Sequence, residues 1–259
     1  MKNKEIINYI VQWLKHYSEQ SKTNGFVIGI SGGIDSAVTS TLCAKTGKPV
    51  ICLNMPIHQL KSEYDRGHEH IDWLKKNFPN VISFEVELTK TLQCMSTTLP
   101  EDIQDWLTMA NTRSRLRMTT LYAFAGNKKM LVAGTGNKVE DFGIGFFTKY
   151  GDGGVDISPI ADLMKSEVYA LATELGVVDS IIKAPPTDGL FADSRSDEDQ
   201  IGATYDELEW AMAFIAKPHD FSTLSERQKI VLDIYTRMNT ANQHKMLPIP
   251  ICVIPGELK

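Results

Sequence analysis

Hydrophobic residues in the first twenty positions recur at the spacing of one helix face. They are Ile6, Ile7, Ile10, Val11, Leu14 and Tyr17. A period of about 3.6 residues predicts an amphipathic helix over residues 3 to 20, with its apolar stripe packed on the core. Charged residues interrupt the stretch, so it lacks the continuous apolar run of a signal peptide. No other stretch is apolar for long enough to span a bilayer, and we expect no membrane partner.

Short β-prone runs then alternate with helical patterns through the first half of the chain. The runs that we predict as strands cover residues 26 to 30, 50 to 54, 81 to 86 and 130 to 133. The helical patterns between them cover residues 34 to 45, 62 to 77 and 103 to 125. Strand, helix and strand in this order are typical of the α/β class, and they predict a Rossmann-like parallel sheet with helices on both faces.

The second half of the chain no longer alternates strand and helix patterns. Residues 134 to 156 read GTGNKVEDFGIGFFTKYGDGGVD, and their glycines, charges and aromatic residues suit a site loop better than a core element. Helices are predicted over residues 163 to 175, 205 to 216 and 222 to 239. Pro185 and Pro186 precede a polar, acidic stretch, so we expect a mobile lid over about residues 188 to 203. No internal repeat is evident, and we expect residues 1 to 259 to form a single domain.

Composition and charge narrow the function classes. Hydrophobic residues make up 42% of the 259 residues and charged residues 23%, as in ordinary globular proteins. The formal net charge of -5 provides no general basic surface, so we expect no nucleic-acid partner, while local Arg and Lys could still bind small anions. No CxxC pair is present, which indicates reduced thiols and a cytoplasmic location. The cysteines are Cys43, Cys52, Cys94 and Cys252.

A glycine-rich loop between the first predicted strand and the next helix carries the strongest chemical signal. It consists of Gly29, Ile30, Ser31, Gly32, Gly33, Ile34, Asp35 and Ser36. Backbone N–H groups in such a loop, together with the helix dipole, favour a bound phosphate, and glycines let the backbone approach it closely. The Lys of a Walker A loop is missing, and the spacing is not that of a dinucleotide fingerprint.

Asp35 stands inside this loop, where a carboxylate would repel phosphate. A divalent cation between the two would remove that repulsion, so we predict Mg²⁺ as a cofactor. The alternative is a tight Gly-Gly turn in which Asp35 only helps to start the helix.

The residues SGGIDS resemble the signature SGGxDS of the ATP-pyrophosphatase (PP-loop) superfamily, and they follow the first strand as that signature does. The resemblance implies an adenine nucleotide alpha hydrolase-like fold. It also implies that ATP is cleaved between its α and β phosphates while the loop holds the departing pyrophosphate. Catalysis would then consist mostly of positioning and charge neutralisation.

Further motifs narrow the resemblance. RSRLR at Arg113 to Arg117, GTGN at Gly134 to Asn137, Glu140 and the dense block from Gly145 to Lys165 are similar to the ammonia-dependent NAD synthetase family, over nearly the whole chain. That family implies adenylylation of the nicotinate carboxylate of deamido-NAD by ATP. Ammonia then attacks the acyl-adenylate and gives NAD, AMP and pyrophosphate.

The same resemblance implies a role for each matching residue. Residues Ser31 to Ser36 would bind ATP phosphates, and the further ATP contacts would be Gly29, Ile30, Thr135, Lys165 and Thr187. Asp35 and Glu140 would bind Mg²⁺, although Glu140 in isolation could be an ordinary loop carboxylate. The expected deamido-NAD contacts are Arg115, Lys149, Asp156, His244 and Lys245.

Two of these assignments have structural alternatives. Arg113, Arg115 and Arg117 could form a solvated or intersubunit helix face, and since alternate positions of a helix do not share one side, Arg115 alone is our ligand candidate. His244 and Lys245 could simply belong to an exposed terminal segment.

We expect the catalytic residues to be Asp35, Lys165 and Asp152. Asp152 is the candidate that orients ammonium and accepts its proton, because only neutral ammonia can attack an acyl group. None of the cysteines sits in an evident nucleophile motif, so free ammonia is the simplest nitrogen donor, and a separate glutaminase partner that supplies it is the alternative.

Other interpretations stay open at this level. The chain could be a different PP-loop ligase, such as a tRNA-thiolating enzyme, a lysidine synthetase or a GMP synthetase-like protein, or a nucleotide-binding module without activity. The family resemblance also implies a homodimer, in which Trp106, Leu107 and Met109 would add apolar contact surface. Those three residues could instead pack inside one subunit.

Overall fold

The computed structural model describes residues 1–186, 196–217 and 221–259. Its sheet has four parallel strands: β1 (Phe26–Gly29), β2 (Val50–Asn54), β3 (Val81–Glu85) and β4 (Leu131–Val132). Their order is β3-β2-β1-β4, with β1 paired to both β2 and β4. The chain runs from β1 outward through β2 to β3 and then returns to the other side of β1 to form β4. The crevice between β1 and β4 is therefore the switch point, the place where open α/β sheets bind ligands.

Ten α-helices surround the sheet in the described part of the chain. They are α1 (Asn3–Gln20), α2 (Ile34–Lys45), α3 (Lys61–Asn77), α4 (Thr89–Thr98), α5 (Trp106–Lys128), α6 (Lys165–Leu175), α7 (Asp179–Ile182), α8 (Asp197–Ile201), α9 (Tyr205–Ile215) and α10 (Glu226–Met246). Short 3-10 turns cover Glu101–Ile103, Phe221–Thr223 and Gly256–Leu258, and a π-helical segment covers Lys138–Ile144.

Alternating strand residues bury both faces of the sheet. Phe26 and Ile28 of β1 pack with Leu14 of α1 and with α2 and α6 on one side. Val27 points the other way, into a cluster with Leu53 and the inner side of α5. Side chains of a strand alternate between faces, so the buried side chains of β1 and β2 show that both faces are covered there, whereas Ile82 and Phe84 of the edge strand β3 are 51% and 42% exposed. The predicted parallel sheet with helices on both faces is therefore confirmed.

A further apolar cluster lies beside the sheet. It joins Val139 and Ile144 of the π-helical segment to Leu208 of α9 and Val231 of α10. The C-terminal helices thus pack on the segment that follows β4, and this packing brings α10 to the end of the sheet where the loop of residues 29–36 lies.

Several element boundaries differ from the prediction. The pattern over 103–125 is a 3-10 turn and a separate helix, because the Asp105 side chain accepts from Thr108 N at 3.1 Å and caps a new start. Helix α4 was not predicted. Helix α10 runs to Met246, so His244 and Lys245 lie in its last turn rather than in a terminal segment. Most of the expected lid, residues 188–195, lies outside the described residues. No helix among the described residues is both long and apolar enough to cross a membrane.

Candidate active site

The glycine-rich loop joins the end of β1 to the start of α2. Gly32 has a φ of +85°, in the region that favours glycine, and a Cβ there would lie 2.4 Å from the carbonyl oxygen of Glu63 in α3. Any other residue would therefore be strained and would also push α3 away. The sequence places glycine here because the backbone turns sharply under a neighbouring helix.

Hydrogen bonds within the loop fix its shape. Ser36 Oγ donates to Gly33 O at 2.9 Å and Gly33 N donates to Ser31 Oγ at 3.1 Å. The bond from Ala37 N to Gly33 O, at 3.2 Å, is the first of helix α2. The preceding N–H groups of the first turn have no acceptor within the helix, and with the helix dipole they form an anion site.

Three charged side chains meet beside this loop. Lys165 Nζ lies 2.6 Å from Asp35 Oδ2 and 2.9 Å from Glu140 Oε1. The Lys165 side chain is 4% exposed and each carboxylate side chain 17%. Tyr205 completes the group, since its hydroxyl donates to Glu140 and its ring lies 4.9 Å from Lys165 Nζ. The site therefore holds two carboxylates and one ammonium almost out of contact with water.

Burial and charge act against each other in this group. Burial would lower the pKa of Lys165, but Asp35 and Glu140 raise it above the ordinary value, so the ammonium stays charged. Burial raises the pKa of Asp35, with Lys165 opposing the shift. For Glu140 burial acts in the same direction, but Lys165 and Tyr205 outweigh it and hold its pKa below the usual range.

Asn137 links the two carboxylates through local structure. Its Oδ1 accepts from the N–H groups of Val139 and Glu140, both at 3.1 Å, and so caps the π-helical segment. Its Nδ2 donates to Asp35 Oδ1 at 3.2 Å, and the residue is 0% exposed. One buried amide thus positions Glu140 opposite Asp35. Single turns of π-helix are frequent at functional sites.

A cavity of about 650 Å³ opens over the loop. Its walls come from the glycine-rich loop, the inner side of α5, the segments after β4 and the last turns of α10. Twelve of the predicted site residues with a described position line it: Gly29, Ile30, Ser31, Gly32, Gly33, Asp35, Ser36, Thr135, Glu140, Asp152, Lys165 and Lys245.

Asp152 lies in the wall of this cavity. Its Oδ1 accepts from Ser114 Oγ at 2.8 Å and from Thr148 N at 2.9 Å. Burial raises its pKa above the usual range, although both hydrogen bonds oppose the shift. The carboxylate is thus fixed in orientation and faces the same space as the phosphate loop.

The remaining predicted ligand residues lie beside the cavity rather than in its lining. Arg115 donates to Lys149 O at 3.3 Å, and Lys149 Nζ donates to the carbonyl oxygen of His244. Asp156 accepts from Tyr122 OH at 3.0 Å and from Val132 N at 2.8 Å. Arg115, Lys149 and His244 are thus brought together by contacts within one chain, whereas Asp156 is held separately by Tyr122 and Val132. Thr187 lies outside the described residues.

Lys245 differs from its neighbours in facing inward. Its Nζ donates to Gly145 O at 2.6 Å and to Phe147 O at 2.8 Å, and it lines the cavity. Burial lowers its pKa, with Asp152 and Asp141 opposing. The last turn of α10 therefore delivers a cation to the wall opposite the phosphate loop.

Arg117 is a cavity residue that the sequence interpretation set aside in favour of Arg115. It donates from Nε to Met55 O at 3.0 Å, and burial, together with Arg113, lowers its pKa to about 10. Arg113 and Arg117 are four residues apart and share a helix face, whereas Arg115 points away. Helical spacing alone predicts that Arg113 and Arg117 share a face. That this face points into the cavity depends on how α5 packs on the sheet. Other unassigned cavity residues are Arg66, Ser114 and Asp141.

A glycine-rich loop at the switch point of a parallel α/β sheet, with a carboxylate pair beside it, defines a protein of the PP-loop fold. Comparisons with known proteins narrow this class: the family model described as NAD synthase matches residues 6–248. The chain belongs to the NAD synthase family.

Individual relatives agree with this placement. The NH(3)-dependent NAD(+) synthetase of Mycoplasma genitalium is 38% identical over 235 residues, covering 88% of this chain and 90% of the relative. That of Syntrophomonas wolfei is 33% identical and covers 100% of both. Among solved structures, NMN synthetase from Francisella tularensis has a TM-score of 0.85 and 30% identity, covering 99% of each chain. NH3-dependent NAD synthetase from Campylobacter jejuni has a TM-score of 0.80 and 25% identity, covering 98% of this chain and 100% of the other.

Proposed function

We propose that this protein is a ligase that amidates deamido-NAD to NAD with ATP and ammonia. The observation that carries the proposal is the placement of the phosphate loop, the Lys165 group and Asp152 around one cavity in a member of the NAD synthase family. Two half-reactions need these parts together, since the first uses ATP and the second uses ammonia on the same carbonyl carbon.

In the first half-reaction a nicotinate carboxylate oxygen attacks the α phosphorus of ATP. The bond from that phosphorus to the bridging oxygen breaks, and pyrophosphate leaves with its charge. The free N–H groups at the start of α2 would hold the pyrophosphate, and Lys165 would stabilise charge that develops between the α and β phosphates. Catalysis of this kind depends on fixed dipoles and cations aimed at the developing charge.

Asp35 and Glu140 fit a hard divalent cation such as Mg²⁺. Their carboxylates face one another across Lys165 Nζ, at 2.6 and 2.9 Å, so a positive charge already sits between them. The two carboxylates are the residues that would hold the ion, since carboxylate oxygen is a ligand that Mg²⁺ prefers; no group of three or more such side chains suited to a metal occurs among the described residues. Bound there, Mg²⁺ would neutralise phosphate charge beside Asp35.

In the second half-reaction ammonia attacks the acyl carbon and AMP leaves. We assign Asp152 as the group that binds ammonium and takes its proton, because its carboxylate is fixed by Ser114 and Thr148 and faces the cavity. A raised pKa brings a carboxyl closer to working pH and makes it a better base.

We further propose that the protein is a homodimer. Helix α5 buries Ala110, Ser114 and Ala125 of its 23 residues, and Leu107 is 58% exposed. Arg115, Lys149, Asp156 and His244 do not line the 650 Å³ cavity described for one chain, so they would reach a dinucleotide bound there only where a second subunit extends that cavity. The free cysteines accord with a reducing, cytoplasmic location, which we also propose.

A second candidate substrate is nicotinate mononucleotide, whose amidation gives NMN. The observation in its favour is the match to a solved NMN synthetase, with a TM-score of 0.85 over 99% of both chains. A mononucleotide lacks the adenylyl half of deamido-NAD and would use the cavity of one chain alone. The ratio of kcat/KM for the two acids decides between them.

The first experiment is product identification. Purified protein is mixed with ATP, Mg²⁺, ammonium chloride and either acid, and the products are identified by mass spectrometry. Asp35→Ala should abolish turnover, and Asp72→Ala, which removes an exposed carboxylate of α3, should not. NAD or NMN together with AMP, in wild type and Asp72→Ala only, supports the proposal. No amide from either acid would point to another PP-loop ligase, and ATP binding without any cleavage to a binding module.

A further inference from the structure

Helix α3 lies directly against the phosphate loop. A Cβ on Gly32 would be 2.4 Å from Glu63 O and 3.2 Å from Gly67 N, so the first two turns of α3 touch the loop backbone. The side chain between them in sequence, Arg66, lines the cavity and is half-buried. The packing of α3 therefore places the Arg66 guanidinium next to the loop. Neither the loop motif nor the family resemblance assigns a site residue to this helix.

Arg66 is held by the loop itself. Its Nε donates to Gly32 O at 3.3 Å, and Gln59 Nε2 donates in the same way to Ser31 O at 3.1 Å. These two contacts engage loop carbonyls, so neither side chain occupies an N–H group at the start of α2. Because the bond to Gly32 uses Nε, the two terminal nitrogens of Arg66 remain for a ligand.

The charge of Arg66 is not neutralised within the described residues. No carboxylate there lies within ion-pair distance of it, whereas Arg227 is paired with Glu207 at 2.6 Å and Lys165 with two carboxylates. A half-buried cation beside an anion-binding loop is costly to keep unpaired unless an anion arrives. Arginine is the side chain best suited to phosphate, since its planar fork donates two parallel hydrogen bonds.

We propose that Arg66 binds the β and γ phosphates of ATP and stabilises the pyrophosphate as it leaves. Lys165 would serve the α phosphate side of the breaking bond, and Arg66 the outer side. The inference rests on the proposed use of ATP, but it concerns phosphate binding alone and does not require that nicotinate be the acceptor.

Calorimetric titration of the full-length protein with ATP, with AMP and with inorganic pyrophosphate tests this assignment. For Arg66→Gln we expect ATP and pyrophosphate to bind at least about 10-fold more weakly, because a charge-assisted contact is lost. AMP, which lacks both outer phosphates, should bind within about 2-fold of wild type. Arg66→Lys should fall between the two, since it keeps the charge and loses the fork.

Lys75→Gln is the matched control, because it removes one positive charge from an exposed position on the same helix. It should bind all three probes as wild type does. Equal ATP and pyrophosphate affinity in Arg66→Gln and wild type would overturn the proposal. An equal loss for AMP would also overturn it, since Arg66 would then support loop shape only. If Arg66→Gln fails to fold, Arg66→Lys decides by the same comparison of pyrophosphate with AMP. Failure to amidate either acid, with these binding differences intact, would refute the proposed function and leave this assignment standing.

Discussion

The two ends of the cavity hold their charges differently. At the phosphate end Lys165 is paired with both Asp35 and Glu140, and its side chain is 4% exposed. At the far end, beside the cavity and outside its lining, Arg115 and Lys149 are exposed or partly exposed and donate to backbone carbonyls. A buried charge is stable only when it has a partner, whereas water stabilises an exposed cation in the absence of a ligand. One chain thus completes its phosphate end by itself and leaves its far end open.

The strongest way to break this contrast is to remove the ammonium of the phosphate end. Lys165→Met leaves two carboxylates buried without a cation, and we expect a loss of about 3 to 5 kcal/mol in the free energy of unfolding, together with loss of amidation. Urea unfolding without Mg²⁺ measures it. Lys138→Met breaks the exposed pair with Asp162, 2.8 Å apart, and should cost about 1 kcal/mol or less. Equal losses for the two variants would contradict the contrast.

His70 of α3 is a buried residue that contacts α2, the helix that follows the phosphate loop. This residue is 0% exposed, Nε2 lies 2.9 Å from Ser40 Oγ of α2, and burial lowers its pKa from 6.5 to about 4. Between those values the unfolded chain binds a proton that the folded chain does not. Stability should therefore fall by about 3 kcal/mol as pH drops from about 6.5 to about 4.

Unfolding free energy measured across that pH range checks this prediction. His70→Gln should reduce the part of the slope that His70 causes, even if the variant is less stable at every pH. His16→Gln, which replaces an exposed histidine of α1, is the control and should keep the wild-type slope. An unchanged slope in His70→Gln would show that this histidine is not kept neutral.

Asp152 tests whether the middle of the cavity serves the second half-reaction alone. Asp152→Asn should still release pyrophosphate, but amidation should slow by about 100-fold, since general-base catalysis is lost. In wild type the rate should rise with pH through the raised pKa of Asp152, because the base is active when deprotonated. Asp152→Asn should not show this rise of rate with pH. Equal losses of pyrophosphate release and amidation would assign Asp152 to shape rather than to proton transfer.

A substitution on the exposed side of α5 tests whether a second subunit covers the open end, and its expected effect is the smallest of the four. Leu107 is 58% exposed, so Leu107→Glu should cost little folding free energy but weaken dimerisation by about 10-fold, because an apolar contact becomes charged. Light scattering after size exclusion measures the mass. Tyr9→Glu on α1, where the side chain is 73% exposed, is the control and should leave the mass unchanged. A wild-type monomer at micromolar concentration would refute the proposed dimer.

What the sequence determined by itself is local. The loop of residues 29–36 is shaped by bonds between near neighbours, such as that between Ser31 Oγ and Ser36 Oγ at 3.1 Å, so its motif predicts its geometry. Hydrophobic periodicity likewise predicted the strands and most helices. It could not predict the break at Asp105, where a cap competes with a continuous helical pattern.

The tertiary structure decided which distant residues share the site. Lys165 and Asp35 are 130 positions apart, and Tyr205 and Glu140 are 65 apart, so no spacing rule relates them. The inward direction of Arg66, Arg117 and Lys245 depends on how α3, α5 and α10 pack on the sheet. Local bonds form between residues that the chain already holds together, whereas these contacts exist only because burial of the apolar clusters fixes the helices relative to one another.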